Sequence, residues 1–89
     1  MTAPKKPEVV SRTMFTLNQD DHWNWETKAL NNEVISSGEG GYETLRDAIG
    51  NYFAQQNIPY GLAEKWPSNY GPLQRLQETQ YQINKFVTN

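Results

Sequence analysis

The fold is decided by residues 14–56, which read MFTLNQDDHWNWETKALNNEVISSGEGGYETLRDAIGNYFAQQ. Apolar and polar residues alternate over residues 14–17 and 23–29, as in strands with one buried face. A glycine-rich bend follows a third apolar segment, and apolar residues then recur at helical spacing: Leu45, Ala48, Ile49, Tyr52 and Phe53. The stretch therefore predicts three antiparallel strands followed by one amphipathic helix.

The register of the first hairpin follows from the need to keep the large apolar side chains on one face of the sheet. A three-residue loop at 20–22 pairs Leu17 with Trp25. A loop of two or four residues splits the apolar side chains between the two faces, because a slip of one residue moves every side chain to the other side. The sequence therefore predicts the three-residue loop.

The second turn is predicted from Asn31-Asn32. Both asparagines tolerate positive φ, which a two-residue type I′ turn requires. This turn places Ala29 opposite Val34. The predicted inner face then carries Phe15, Leu17, Trp23, Trp25, Ala29 and Val34, with the small residues Thr27 and Ser36 between them.

The helix has sequence signals at both ends. Thr44 is a good N-cap, and Asp47 stands three residues later, in the position of a capping box. Pro59 disfavours helical backbone in the residue before it, so the helix should end near Asn57. We expect this helix to pack across one face of the sheet, its large side chains against small sheet residues.

The chain after the helix is predicted as a long loop and a final hairpin. Residues 57–72 are rich in proline and glycine and hold three large aromatics: Tyr60, Trp66 and Tyr70. These form either a ligand groove or a lid over the core, and we favour the lid, although loops of this length are often functional. Residues 80–88 alternate again and predict a final strand, paired with residues 73–77 through a turn at 78–79.

Together these elements predict an α+β fold in β-β-β-α-β order. It has an antiparallel sheet of three to five strands and one main helix packed on one face. Residues 1–11 contain lysine and proline and little to bury, so we expect a flexible tail there. Residues 12–89 are then one domain, close to the lower size limit for independent folding.

Composition excludes several classes of protein. The 89 residues include no cysteine, so disulfides and thiolate metal sites are excluded. Eight basic and ten acidic residues give a net charge of −2, and the longest basic run is Lys5-Lys6. Both features argue against strong electrostatic binding of nucleic acid. No segment resembles a signal peptide or a transmembrane helix, so we expect no membrane partner and a cytoplasmic location.

No group of side chains predicts catalysis. Residues 20–22, Asp-Asp-His, lack the second histidine or cysteine of a metal site, and a solvated turn is the better interpretation. The loop at 38–41 fails the dinucleotide-binding pattern because Glu43 stands where the third glycine is needed, so we interpret it as a turn with positive φ. We therefore predict no enzyme, no catalytic residue, no cofactor and no metal.

The order of strand, Asn-Asn turn, strand, glycine-rich bend and capped helix resembles the YegP-like family of small bacterial domains of unknown function. The residues that carry this resemblance, about half of the chain, are 25–29, 31–35, Glu39-Gly40 with Tyr42, and 44–49. The resemblance implies an α+β domain that often occurs as a tandem repeat. Because one unit is present here, it implies pairing with a second chain, and it offers no catalytic residues. Nothing in the sequence excludes a phage origin.

Two functions are consistent with these features. The favoured one is a small non-enzymatic protein-interaction module, with a homodimer as one form, which uses the outer sheet face or an edge strand near residues 81–87. The candidate interaction face is Met14, Asn24, Glu26, Lys28, Leu30 and Ile35. The alternative is a small domain that reads DNA with its three-stranded sheet. One lysine beside one glutamate, however, attracts DNA phosphates only weakly.

Overall fold

The computed structural model describes residues 9–56 and 69–86. Within these ranges the chain forms five strands and one helix, which confirms the predicted α+β class. The elements are β1 (Val9–Leu17), β2 (Trp23–Ala29), β3 (Val34–Ser37), α1 (Leu45–Gln55), β4 (Gln74–Gln77) and β5 (Gln80–Phe86). The strands form one antiparallel sheet in the order β3-β2-β1-β5-β4.

The chain order is β-β-β-α-β-β, so the predicted β-β-β-α-β order was one strand short. The additional strand is β4, which forms the expected hairpin with β5 because Gln77 pairs with Gln80 across the turn at 78–79. β5 also pairs with β1 and therefore lies inside the sheet. The prediction of an edge near residues 81–87 was wrong for the described part of that segment, and the edges are β3 and β4.

The first hairpin has a longer loop than predicted. Leu17 lies opposite Trp23, so five residues connect the strands rather than three. Asn18 explains the difference, because its Oδ1 accepts hydrogen bonds from the backbone N–H groups of Asp20 and His22 at 2.9 and 3.1 Å. The register is displaced by two residues, an even number, so every side chain keeps its predicted face.

The second turn is a three-residue loop and not the predicted type I′ turn. Of the two asparagines only Asn32 has a positive φ, 68°, and its N–H donates to the carbonyl of the last β2 residue at 2.9 Å. A left-handed final residue is typical of three-residue hairpins. Val34 consequently lies opposite Lys28 and is 50% exposed, so its predicted place on the inner face was wrong. Beyond an irregularity in the pairing, Thr27 lies opposite Ser36 as predicted.

Helix α1 begins as its capping residues predict. Thr44 has extended backbone, with φ −131° and ψ 157°, and its Oγ1 accepts a hydrogen bond from the N–H of Asp47 at 3.0 Å. The helix ends at Gln55 with Gln56 as its C-cap, close to the predicted end. Over residues 9–56 and 69–86 no helix is both long enough and apolar enough to span a membrane.

The helix shares one buried cluster with three of the strands. The members of this core are Phe15, Trp25, Ala48, Ile49, Tyr52, Phe53, Tyr70 and Ile83. Tyr52 is central, because the rings of Phe15, Trp25 and Tyr70 meet it edge-on at centroid distances of 6.2, 5.2 and 6.0 Å. Such pairs add about 0.5–1.5 kcal/mol each beyond the burial of their area. Aromatic packing thus supplies much of the stability of this small core.

The segments outside the core differ from the predicted boundaries. β1 begins at Val9, inside the stretch 1–11 that was expected to be a tail. Of the long loop, residues 57–68 lie outside the described ranges. Its last part runs beside β5, where Tyr70 forms an isolated bridge with Lys85.

Candidate interaction surface

The residues that alternate with the buried ones form a second side of the sheet, which we call the outer face. Its members on the three central strands are Arg12, Met14, Thr16, Asn24, Glu26, Lys28, Gln80, Gln82 and Asn84. Successive side chains of a strand point to opposite sides, so this face is the reverse of the one that carries Phe15 and Trp25. Across the strands, Met14 lies between Glu26 and Gln82.

The outer face contains a concavity of about 380 Å³. Its lining residues are Arg12, Met14, Glu26, Lys28, Ala29, Asn32 and Gln82. The Nζ of Lys28 lies 3.7 Å from Oε1 of Glu26, and both side chains are about half exposed. An ion pair this open to solvent contributes only about 0–1 kcal/mol, so either partner is free to bind a competing group.

Arg12 is the second cation of this concavity. It lies directly opposite Lys28 on the neighbouring strand. Among the described residues, the one ion pair is that of Lys28 with Glu26, so Arg12 has no acidic partner there. Like charges directly opposite each other destabilise a sheet. The concavity therefore concentrates positive charge that one lining carboxylate only partly offsets.

A smaller concavity of about 160 Å³ shares Met14 and Glu26 with the larger one. Its other lining residues are Thr16, Asn24 and Trp25. The structure thus brings together four of the six residues that the sequence singled out as an interaction face: Met14, Asn24, Glu26 and Lys28. Whether they contact a partner remains a prediction.

The other two predicted residues line neither concavity. Leu30 is in the turn after β2 and Ile35 is in the edge strand β3, and they are 55% and 58% exposed. With Val34 they account for three of the five exposed large hydrophobic side chains in the described ranges. We call Leu30, Val34 and Ile35 the β3 edge patch. The candidate residues thus divide into four that line the concavities and two that belong to this patch.

Four lining residues of the larger concavity were missed: Arg12, Ala29, Asn32 and Gln82. Arg12 was detectable, because it precedes Met14 by two positions and so shares its side of the strand. Gln82 was not, because its place depends on the pairing of β5 with β1, which are far apart in the sequence.

The candidate aromatic loop is described only at Tyr70, since Tyr60 and Trp66 lie outside the described ranges. Tyr70 is 6% exposed and its hydroxyl lies 3.2 Å from that of Tyr52. Burial, and then the hydrogen bond to Tyr52, raise the pKa of Tyr70 well above that of an ordinary tyrosine. Tyr70 is therefore part of the core and does not line an open groove.

The two turns that were weighed as metal or phosphate sites contain residues with positive φ. Gly40 and Gly41 have φ values of +86° and +78°, which favour glycine. In the loop between β1 and β2, Asp21 has a φ of 60°. No group of three or more histidine, cysteine or acidic residues that could hold a metal occurs within residues 9–56 and 69–86.

Comparison with known proteins gives no relative: no family model, no curated protein and no solved structure matches this chain. The resemblance to the YegP-like family therefore stays a hypothesis that rests on residues 25–29, 31–35, Glu39-Gly40 with Tyr42, and 44–49.

Proposed function

We propose that this chain is a small non-enzymatic protein-interaction module that pairs with a second copy of itself along the open edge of β3. The observation that carries the proposal is the β3 edge patch, whose members Leu30, Val34 and Ile35 are each at least half exposed, at 55%, 50% and 58%. Apolar side chains grouped on a surface favour contact with a partner. An unpaired strand beside them offers the backbone hydrogen bonds for that contact.

The two edges of the sheet differ in how well they are protected. β3 reads VISS and holds neither charge nor proline. β4 reads QRLQ, carries Arg75 and follows Pro72 closely. Charged residues and proline are the usual protection of an edge strand against pairing. β3 is therefore the edge on which an additional strand is expected to pair.

A second copy of the chain fits this edge. Two β3 strands that pair antiparallel about a twofold axis place Val34 opposite Ser37 and Ile35 opposite Ser36, so that only neutral side chains meet. In that register Glu33 faces Gly38 of the other copy and not another acidic residue. The sheet would then continue from one copy into the other, as in other cases of strand addition.

The test is the oligomeric state of the wild type and of two lysine variants. Sedimentation velocity over a range of concentrations should show a reversible dimer for the wild type. Ile35→Lys places a charge on the β3 edge and should give a monomer. Leu76→Lys is the matched control, because Leu76 is 45% exposed on the opposite edge strand, and it should stay dimeric.

Circular dichroism must show the same fold for both variants, which is expected because both side chains are exposed. A wild type that stays monomeric at the highest concentrations would contradict self-pairing. A dimer that persists in Ile35→Lys and dissociates in Leu76→Lys would move the interface to β4.

DNA binding by the outer face is the second candidate. We infer that α1 covers one side of the sheet only, because its buried residues share a core with Phe15 and Trp25. The outer face is then free to enter a groove of the DNA duplex. The observation in favour is the pair Arg12 and Lys28 beside the amide side chains of β5. Glu26 and the net charge of −2 oppose it.

Titration of a short DNA duplex at low ionic strength tests this second candidate. DNA binding requires an affinity that falls steeply as salt is raised, because phosphate contacts release counterions. Lys28→Gln should weaken such binding and reduce the salt dependence by about one phosphate contact. The absence of any salt-sensitive affinity would eliminate the candidate.

A further inference from the structure

We propose that the larger concavity of the outer face binds a small organic anion, in which a carboxylate or phosphate group is carried on a short apolar body. This site lies on the outer face and excludes the residues of the β3 edge patch. Val34 of that patch lies opposite Lys28, so the site adjoins the patch, and its ligand goes beyond the proposed self-pairing. Its volume of about 380 Å³ lies in the range of small-molecule sites, about 300–1,000 Å³.

The two cations of the concavity provide the first argument. Arg12 and Lys28 lie directly opposite each other on β1 and β2 and both line the concavity. An oxyanion placed between them removes the repulsion that two like charges on paired strands otherwise cause. The planar guanidinium of Arg12 offers two parallel N–H groups, which match the oxygens of a carboxylate or phosphate.

The neutral lining residues provide the second argument. The amides of Asn32 and Gln82 can donate hydrogen bonds to an oxyanion. The Nε2 of Gln82 donates one of its hydrogens to Oδ1 of Asn84 at 3.1 Å, which leaves the other for a ligand. The thioether of Met14 lies in the same concavity and offers a polarizable apolar contact. The mixture of cations, amides and the apolar side chains of Met14 and Ala29 fits an anion with a hydrocarbon part.

Glu26 limits the charge that this site accepts. Its carboxylate also lines the concavity, 3.7 Å from the Nζ of Lys28. The two cations and this carboxylate give the lining a net charge of +1, which a monoanion neutralises, whereas the second charge of a dianion gains no further cation and adds a desolvation cost. We therefore expect a monoanionic carboxylate to bind more tightly than a phosphate dianion.

The experiment is a titration of the ¹⁵N-labelled full chain, followed by backbone amide NMR. Butyrate, acetate and inorganic phosphate are the three probes, each compared with sodium chloride at the same ionic strength. Saturable shifts are expected at Arg12, Met14, Lys28 and Gln82. Butyrate should bind several-fold more tightly than acetate, because its additional methylene groups contact Met14.

Arg12→Gln should weaken butyrate binding by about tenfold, the usual effect of losing a hydrogen bond to a charged group. Arg46→Gln is the matched control, since Arg46 is an exposed arginine of α1, and it should bind as the wild type does. Arg12 is itself exposed, so the variant should keep the wild-type spectrum away from the outer face.

The outcomes separate the ligand classes and decide the proposal. Tighter binding of butyrate than of phosphate, dependent on Arg12, assigns a carboxylate ligand. Tighter binding of phosphate with the same dependence keeps the site and assigns a phosphate ligand. Shifts that sodium chloride reproduces, or that Arg12→Gln leaves unchanged, overturn the proposal.

Discussion

The indole N–H of Trp25 donates a hydrogen bond to Oδ1 of Asn51 at 2.9 Å, and this contact joins the middle of β2 to α1. The same oxygen accepts hydrogen bonds from the hydroxyl of Tyr42 at 2.6 Å and from Nε2 of Gln55 at 3.4 Å. One amide oxygen thus satisfies the polar atoms of two aromatic side chains. Tyr42 also pairs with Trp23 beside β2, so Asn51 connects three segments of the chain.

Asn51→Ala should lower the free energy of unfolding by about 1–3 kcal/mol, because it leaves the indole N–H and the Tyr42 hydroxyl without their acceptor. Urea denaturation measures this change. Gln55→Ala removes only the exposed third donor and should stay within about 0.5 kcal/mol of the wild type. Equal losses in the two variants would show that the hydrogen bonds of Asn51 do not stabilise the fold.

Trp25→Ala should cost about 3–5 kcal/mol, because the ring is 1% exposed in the core. A loss of this size can unfold so small a domain. The stability of the variant is therefore best measured with a stabilising osmolyte present. Asn24→Ala and Lys28→Ala change exposed neighbours on the opposite side of β2 and should leave stability nearly unchanged. A reversed result would mean that the two sides of the sheet are exchanged.

The inward and outward sides of β1 and β2 could be predicted because alternation decides them without knowledge of the rest of the fold. The start of α1 could be predicted because Thr44 and Asp47 form a local hydrogen bond. The loop lengths could not. Asn18 adds two residues to the first loop through its side chain, and Asn32 takes positive φ while its neighbour does not. These are local choices between turns of similar energy.

The lining of the larger concavity was predicted only in part, and for a different reason. Glu26 and Lys28 were found because they alternate within one strand, whereas Gln82 enters the concavity through the pairing of β5 with β1. Pairing between strands that are distant in the chain depends on the whole core and leaves no local signal. The exposure of Val34 was missed for a local reason, because a one-residue change in the turn moved it off the inner face.

Gly38→Ala should lower stability by about 1–3 kcal/mol through steric overlap. The N–H of Gly38 donates to the carbonyl of Trp25 at 2.9 Å, and a Cβ on Gly38 would lie 2.8 Å from Cδ1 of that indole. The indole of Trp25 cannot move away, because it is buried against Tyr52. Thermal unfolding followed by tryptophan fluorescence measures the effect.

Ser37→Ala is the control for this substitution, because Ser37 is the exposed preceding residue of β3. It should unfold within a few degrees of the wild type. If Gly38→Ala is equally stable, the backbone at Gly38 must be able to move away from the indole.

Tyr70 makes the stability of the fold depend on pH at the alkaline end. Its hydroxyl lies 3.2 Å from that of Tyr52 in the core. Burial, and to a lesser extent the hydrogen bond with Tyr52, raises the pKa of Tyr70 in the folded chain above its pKa in the unfolded chain. The unfolded state therefore releases this proton near pH 10 while the folded state keeps it. The stabilisation is fully present below about pH 10 and is lost as pH rises further.

Tyr70→Phe keeps the aromatic ring and removes the ionisable group, so its free energy of unfolding should fall less steeply with pH above about pH 10. Urea denaturation at a series of pH values measures the slope for each protein. Tyr81→Phe is the control, because Tyr81 packs against the core from a partly exposed position and its loss leaves the Tyr52–Tyr70 pair intact. It should keep the steep wild-type slope. Parallel curves for wild type and Tyr70→Phe would mean that the buried hydroxyl ionises as easily in the folded chain as in the unfolded one, which its burial in the core opposes.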